Sequence, residues 1–430
     1  MSTAIALTYV LLCFSRRATE TQPAAFEVIN TVTSSTCRCL QQVSSCQHAS
    51  HRVESPGLWV RSHKNEQVTT TWYSNPGARS WASPKPRIDT LAFHRSLPLY
   101  AETRLVELPS IADELGVARV FVKEECSRLG LPAFKILGAS YAISRALSAF
   151  LGIDDALSPD ELRGRLELQV IAATDGNHGR AVAHMAALVG LPARIYVPNT
   201  ITSAAMEAIA GEGAELVVMS EPYDDVVKFA AGIAAELGDR ALLVQDSAWD
   251  GYEAIPNWIV DGYSTLFAEA DAQLAELGLT ADLVTVPTGV GALAVAAVDR
   301  YRTPLEKPPV ILVVEPDTAP AVVTSLEVGH PVAVPTGHTI MNGLNCGVVS
   351  PGAWAPMRDG VDAAITVTDA EARQAVLDLQ SLGVDSGPCG ASSLAAVRAM
   401  TAQNKAAAGI DGSSVLLLLS TESITANPLP

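Results

Sequence analysis

Basic residues are scarce in this chain. Lys and Arg number 29 against 46 Asp and Glu, a formal net charge of -17 at pH 7 with no local basic patch to offset it. Such a surface repels a polyanion, which excludes a nucleic-acid partner. Long apolar runs are lacking too. The run Ala4 to Phe14 is too short to span a bilayer, and Arg16-Arg17 follow it, the wrong side for a secretory signal. No membrane role is expected. The seven cysteines form no disulfide framework. Four of them (Cys13, Cys37, Cys39, Cys46) lie near the start, and Cys126, Cys346 and Cys389 are widely spaced, which suits a reducing compartment and a cytoplasmic location. Cys37-Arg-Cys39 with Cys46, His48 and His51 does not match the spacing of paired zinc knuckles, so no metal is expected. There is no repeat of fixed period.

What is present describes a globular chain. Of 430 residues, 48% are hydrophobic and 17% charged, ample for a core and more than one domain normally uses. The charge is uneven: residues 1–85 carry eight Lys/Arg against four Asp/Glu, so the acidity belongs to the remainder. The first 65 or so residues show neither helical nor strand period, and residues 1–68 are expected to form a disordered extension, either a targeting segment or an over-extended start of translation.

From Trp72 the character changes. Arg119 to Glu125 reads as a strand and Ile136 to Phe150 as a helix. After an acidic connector, strand and helix alternate: strand 168–174, helix 177–190, strand 193–197, helix 203–211, strand 214–219, helix 223–237, strand 241–245. The pattern resumes with strand 283–287, helix 291–301, strand 310–314, helices 319–329, 369–382 and 392–408, and strand 415–419. Alternation of this kind implies right-handed crossovers and mainly parallel sheets. The expected architecture is two α/β layers joined by the segment 252–277.

Three stretches carry chemistry. The first is Leu131-Pro-Ala-Phe-Lys-Ile-Leu-Gly-Ala-Ser-Tyr141, where Lys135 sits among apolar neighbours. Desolvation favours the neutral amine, which attacks carbonyls, and pyridoxal phosphate is the aldehyde cofactor that uses such a lysine. The plainer reading is a lysine whose stem covers apolar surface. The second is Ala173-Thr-Asp-Gly-Asn-His-Gly-Arg180, between a buried strand and a helix, where free N–H groups favour anions. Its plainer reading is an N-cap from Asp175 or Asn177 with His178 packing alongside. The third is Val286-Pro-Thr-Gly-Val-Gly-Ala-Leu-Ala294, a glycine turn ahead of a helix that can hold a phosphate. It is not a Walker loop, because the Gly-Lys-Ser ending is absent.

Together with Gln245-Asp-Ser-Ala-Trp-Asp-Gly-Tyr252 and Met341-Asn-Gly-Leu-Asn-Cys-Gly347, these stretches resemble the fold type II (tryptophan synthase β-like) pyridoxal phosphate enzymes. Within them the aspartate of Thr174-Asp175-Gly176 narrows the resemblance to the diaminopropionate ammonia-lyases, from about residue 70 onward. The resemblance implies two open, mainly parallel α/β domains with pyridoxal phosphate in the cleft between them. Residues 69–137 and 221–430 would form the large domain and 138–220 the small one. It further implies that Lys135 carries the cofactor as a Schiff base and that Asn177 hydrogen-bonds the ring oxygen. Thr288, Gly289, Val290, Gly291, Ala292 and Leu293 would hold the phosphate. Ser420 or Thr421 would face the pyridine nitrogen and leave it unprotonated, a weaker electron sink that favours elimination over transamination.

The implied reaction removes the Cα proton and expels the β-amino group as ammonia, after which hydrolysis gives pyruvate and a second ammonia. Lys135 would serve one face as base and Asp175 the opposite face, so that both D and L isomers could react. Asp246 would recognise the distal ammonium. Its plainer reading is a helix N-cap before Ser247 to Tyr252. The substrate carboxylate would sit on Thr174, Asp175, Gly176, Asn177 and His178. The implied partners are a small amino-acid substrate and a second copy in a homodimer. Two segments depart from the family pattern: Ser386-Gly-Pro-Cys-Gly-Ala391 lacks the usual Glu and Ser, and Ser420-Thr-Glu-Ser423 has Ser where Gly is common. The alternatives are a serine or threonine dehydratase or another β-eliminating or β-replacing lyase, and a binding module that has lost the cofactor.

Overall fold

A computed structural model describes residues 70–430 apart from Asp175. The expected disorder of residues 1–68, the Cys37 to His51 cluster and the role of Asp175 therefore lie outside the described residues. The strands, in chain order, are β1 (Trp72–Ser74), β2 (Leu105–Glu107), β3 (Arg119–Glu124), β4 (Gln169–Ala173), β5 (Ala193–Pro198), β6 (Glu215–Met219), β7 (Ala241–Leu243), β8 (Leu283–Pro287), β9 (Val310–Pro316), β10 (Ala363–Val367) and β11 (Val415–Ser420).

They form two sheets within one compact unit. The seven-stranded sheet runs β1-β10-β9-β8-β11-β3-β2, and the four-stranded sheet runs β6-β5-β4-β7. Pairing is parallel except at the two ends of the larger sheet, where β1 meets β10 and β2 meets β3 antiparallel. The mainly parallel α/β reading is therefore correct. Strands β8, β9, β10 and β11 are buried along their whole length, because helices cover both faces and the sequences are nearly unbroken Val, Leu, Ile and Ala. Each large apolar side chain buried this way contributes about 1.5–3 kcal/mol.

The pattern reads well for single elements. Helix Tyr223–Leu237 has the expected limits. Three differences have local causes. β7 lies beyond residue 220, the end that the family resemblance implies for the smaller domain, yet it pairs with β4, because the crossover helix before it returns the chain to the same sheet. The helix expected over 392–408 is two helices, Pro388–Ala399 and Ala402–Ala408, because Thr401 turns extended and caps the second with its side chain. The joining segment 252–277 is itself helical, Ala254–Gly262 followed by Ser264–Glu276. Helix Lys135–Phe150 packs on helix Ala254–Gly262 and on helix Asn177–Val189, and so ties the two sheets together.

Candidate active site

In the larger sheet β11 is hydrogen-bonded to β3 on one side and β8 on the other, all parallel. Their carboxyl ends therefore open at the same edge. In an open α/β sheet that edge is where ligands bind. The segment leading to Lys135 follows β3, the glycine turn follows β8, and Ser420 to Ser423 follow β11.

Lys135 opens helix Lys135–Phe150. The preceding loop is sewn to the segment after β11: Phe134 N donates to Thr421 O at 3.1 Å and Ser423 N donates to Pro132 O at 2.8 Å. Lys135 Nζ donates to Asp246 Oδ2 at 2.8 Å and stands 5.8 Å from the Phe134 ring centroid. Burial penalises the Asp246 anion, but the ammonium of Lys135 and the ring of His178 outweigh it and hold the carboxyl well below the usual carboxylate range. No helix begins at Asp246; residues 249–252 form a small bridge in which the Trp249 and Tyr252 rings stack at 4.2 Å. The N-cap reading of Asp246 is thereby excluded.

The Thr174 to His178 loop ends β4 and opens helix Asn177–Val189. Thr174 Oγ1 accepts from Gly176 N and Gly179 N, both at 3.0 Å, which folds the loop back on itself. His178 Nε2 donates to Val244 O at 2.9 Å, beside the segment that carries Asp246. Asn177 Nδ2 donates to Glu422 Oε2 at 2.8 Å and so joins this loop to the larger sheet.

The glycine turn leaves a helix end uncapped. Helix Ala292–Tyr301 starts at Gly291 with no side chain capping it, at the end of a central strand. Gly291 has φ +110°, and a Cβ there would meet Met357 Sδ at 2.6 Å; a Cβ at Gly289 would meet Gly343 O at 2.9 Å. Side chains are therefore excluded at both positions by close packing, which leaves the turn as bare backbone. Thr288 Oγ1 donates to Val286 O at 2.8 Å, and Ala292 and Leu293 are buried. Ser350 couples the turn to the lysine side of the site: Ser350 N donates to Val290 O at 2.9 Å, and Ala248 N donates to Ser350 Oγ at 3.0 Å, two residues from Asp246.

Of the two hydroxyls expected near a pyridine nitrogen, Ser420 Oγ donates to Asp385 O at 3.2 Å, and Thr421 is buried beside it. The carboxyl of Glu422 lacks a role in the sequence reading, yet it lies at the junction of the segments. Burial pushes it up from the ordinary glutamate value, against the donors from Cys389, Asn427 and Asn177. Its only sequence signal is a charged residue two positions beyond a largely apolar strand.

An amine beside a carboxylate, a bare turn with an uncapped helix behind it, and an amide at the meeting point are groups that an enzyme carrying pyridoxal phosphate would use. Residues 97–421 match the family model described as pyridoxal-phosphate dependent enzyme. The diaminopropionate ammonia-lyase of Salmonella typhimurium is 39% identical over 295 residues, 65% of this chain and 72% of that one. The Escherichia coli diaminopropionate ammonia-lyase in complex with D-serine superposes with a TM-score of 0.74 at 32% identity, over 83% of this chain and 94% of that one. The same enzyme in complex with an aminoacrylate-PLP azomethine reaction intermediate gives 0.73 at 32% identity, over 84% and 95%. The chain belongs to the diaminopropionate ammonia-lyase family of pyridoxal-phosphate dependent enzymes. Among the described residues no helix is long and apolar enough to cross a membrane, and no group of His, Cys, Asp and Glu could hold a metal.

Proposed function

We propose that this chain catalyses the elimination of ammonia from 2,3-diaminopropionate, which with water yields pyruvate and two ammonia. The observation that carries this reading is the 2.8 Å pair between Lys135 Nζ and Asp246. When bound, pyridoxal phosphate supplies the electron sink that lets the Cα–H bond break and the β substituent leave. Lys135 is its attachment point, Thr288 to Leu293 its phosphate cradle and Asn177 its ring-oxygen partner.

Asp246 is held ionised chiefly by the ammonium of Lys135. With Lys135 engaged by the cofactor, that carboxylate would be available to pair with the distal ammonium of the substrate. The hydroxyl of serine offers it no charge. The Lys135 amine takes the Cα proton on one face. Asp175, next to Thr174 in the loop, takes it on the other, which admits both isomers. The backbone of Thr174 to His178 receives the substrate carboxylate. The four-stranded sheet, extended to Leu243, forms the smaller domain and carries this loop, and the larger sheet carries the cradle. We further infer a cytoplasmic homodimer, supported by the family resemblance.

Release of pyruvate and ammonia from D- and L-diaminopropionate, measured beside serine, tests the reading. Asp175→Asn should abolish turnover of one isomer and spare the other, and Asp246→Asn should lower the preference for diaminopropionate over serine. Faster turnover of serine than of either isomer by the parent protein would transfer the assignment to a dehydratase.

A further inference from the structure

Glu422 is 3% exposed and takes part in none of the steps above, yet its two oxygens accept three donors from three segments. Oε2 accepts from Asn177 Nδ2 at 2.8 Å; Oε1 accepts from Asn427 Nδ2 at 3.2 Å and from Cys389 N at 3.3 Å. Asn427 is fixed in turn, since its Nδ2 also donates to Ile340 O at 2.9 Å and its Oδ1 accepts from Asn342 Nδ2 at 2.8 Å. The carboxyl therefore has no freedom to rotate.

We propose that Glu422 is a positioning residue that sets which way the Asn177 amide faces, so that the second Nδ2 hydrogen is directed at the cofactor's ring oxygen. The proposal rests on the reading of the site as a pyridoxal phosphate site. Glu422 meets all three neighbours as an acceptor of N–H groups, with both oxygens already committed. It therefore tolerates the Asn177 NH2 edge and rejects the carbonyl edge. A primary amide has two N–H groups, and with one held by Glu422 the other has a fixed direction in the same plane. Were the amide reversed, its carbonyl oxygen would take that place and repel an ionised ring oxygen. The bond also runs from the loop after β4 to the segment after β11, so it holds the amide against both sheets at once.

Glu422→Gln inverts this logic with almost no change in shape. The two donors on the Asn427 side claim the new carbonyl, which leaves the new NH2 facing Asn177 and requires Asn177 to turn its carbonyl towards it. All the hydrogen bonds in the network can then be made, so the fold is expected to survive. The readout is the absorbance of the lysine-bound cofactor, whose long-wavelength band reports an ionised ring oxygen and whose short-wavelength band reports a neutral one. Glu422→Gln should lower the long-to-short ratio by about tenfold, the loss of one hydrogen bond of ordinary strength. The fall in kcat should be similar, with KM little changed. Asn177→Ala should give the same shift, and the double variant should add nothing to either single one. A parental band ratio in cofactor-loaded Glu422→Gln, or additive shifts in the double variant, would overturn the proposal. If Glu422→Gln fails to fold, Asn427→Ala removes one of the donors that fix Glu422 and should shift the ratio at least about twofold in the same direction; an unchanged ratio there overturns the proposal equally. A parent protein that forms no long-wavelength band with added pyridoxal phosphate would fail at the level of the cofactor, an outcome distinct from a band that ignores Glu422.

Discussion

The two sheets differ in how they are held. Four consecutive strands inside the larger one, β10, β9, β8 and β11, have every residue buried, whereas no strand of the smaller one is buried throughout, and Val218 on its edge strand β6 is 49% exposed. A region with few buried apolar contacts opens at lower free energy than a packed core. The division fits the proposed chemistry: the turn proposed to hold the phosphate hangs from the packed sheet, and the loop proposed to receive the substrate hangs from the lighter one. Asn177 and Glu422 meet where the two join.

The largest effect should come from the amine itself. Lys135→Ala removes both attachment and base, and pyruvate release should fall on the order of 10³-fold or more with the fold intact by circular dichroism. Next is the packed sheet: Leu312→Ala in β9 should cost about 2–5 kcal/mol in denaturant unfolding, whereas Val218→Ser should stay within about 0.5 kcal/mol. Equal costs would erase the contrast between the sheets. Gly291→Val, strained at positive φ and against Met357, should release cofactor on dialysis while the parent retains it.

A pH effect belongs to the packed sheet too. Glu315, at the end of β9, is pushed up to about 8 by burial, although Val322 and Val323 donate N–H groups to it. The native state therefore holds its proton to higher pH than the unfolded chain does. The stability linked to it is full below about pH 4, falls as pH rises and is lost by about pH 8. Glu315→Gln should flatten the decline in Tm between pH 5 and 8. Asp246 has the opposite sign, since its depressed value gives stability that is present above about pH 4 and lost only in stronger acid.

Much of this arrangement is legible in the residues. Strands such as Leu283–Pro287, apolar runs followed by glycine turns, announce a parallel sheet, and Lys135, Asn177 and Asp246 stand out as polar groups at the ends of apolar elements. What stays hidden is set by partners distant in sequence. β10, Ala363–Val367, opens on two alanines, has little strand signal of its own, and exists because β9 and β1 flank it. β1 is three residues long and takes its place only by pairing with β10, far along the chain. Glu422 is invisible for the same reason: its meaning comes from Asn177, Cys389 and Asn427, which the fold alone brings together.

The central claim is that Lys135 is the amine that holds the cofactor. Borohydride reduction of the purified protein with added pyridoxal phosphate, followed by peptide mass spectrometry, should find the reduced phosphopyridoxyl group on the peptide containing Lys135 and on no other at stoichiometric occupancy. Stoichiometric modification of a different lysine, with Lys135 unmodified, would contradict the account.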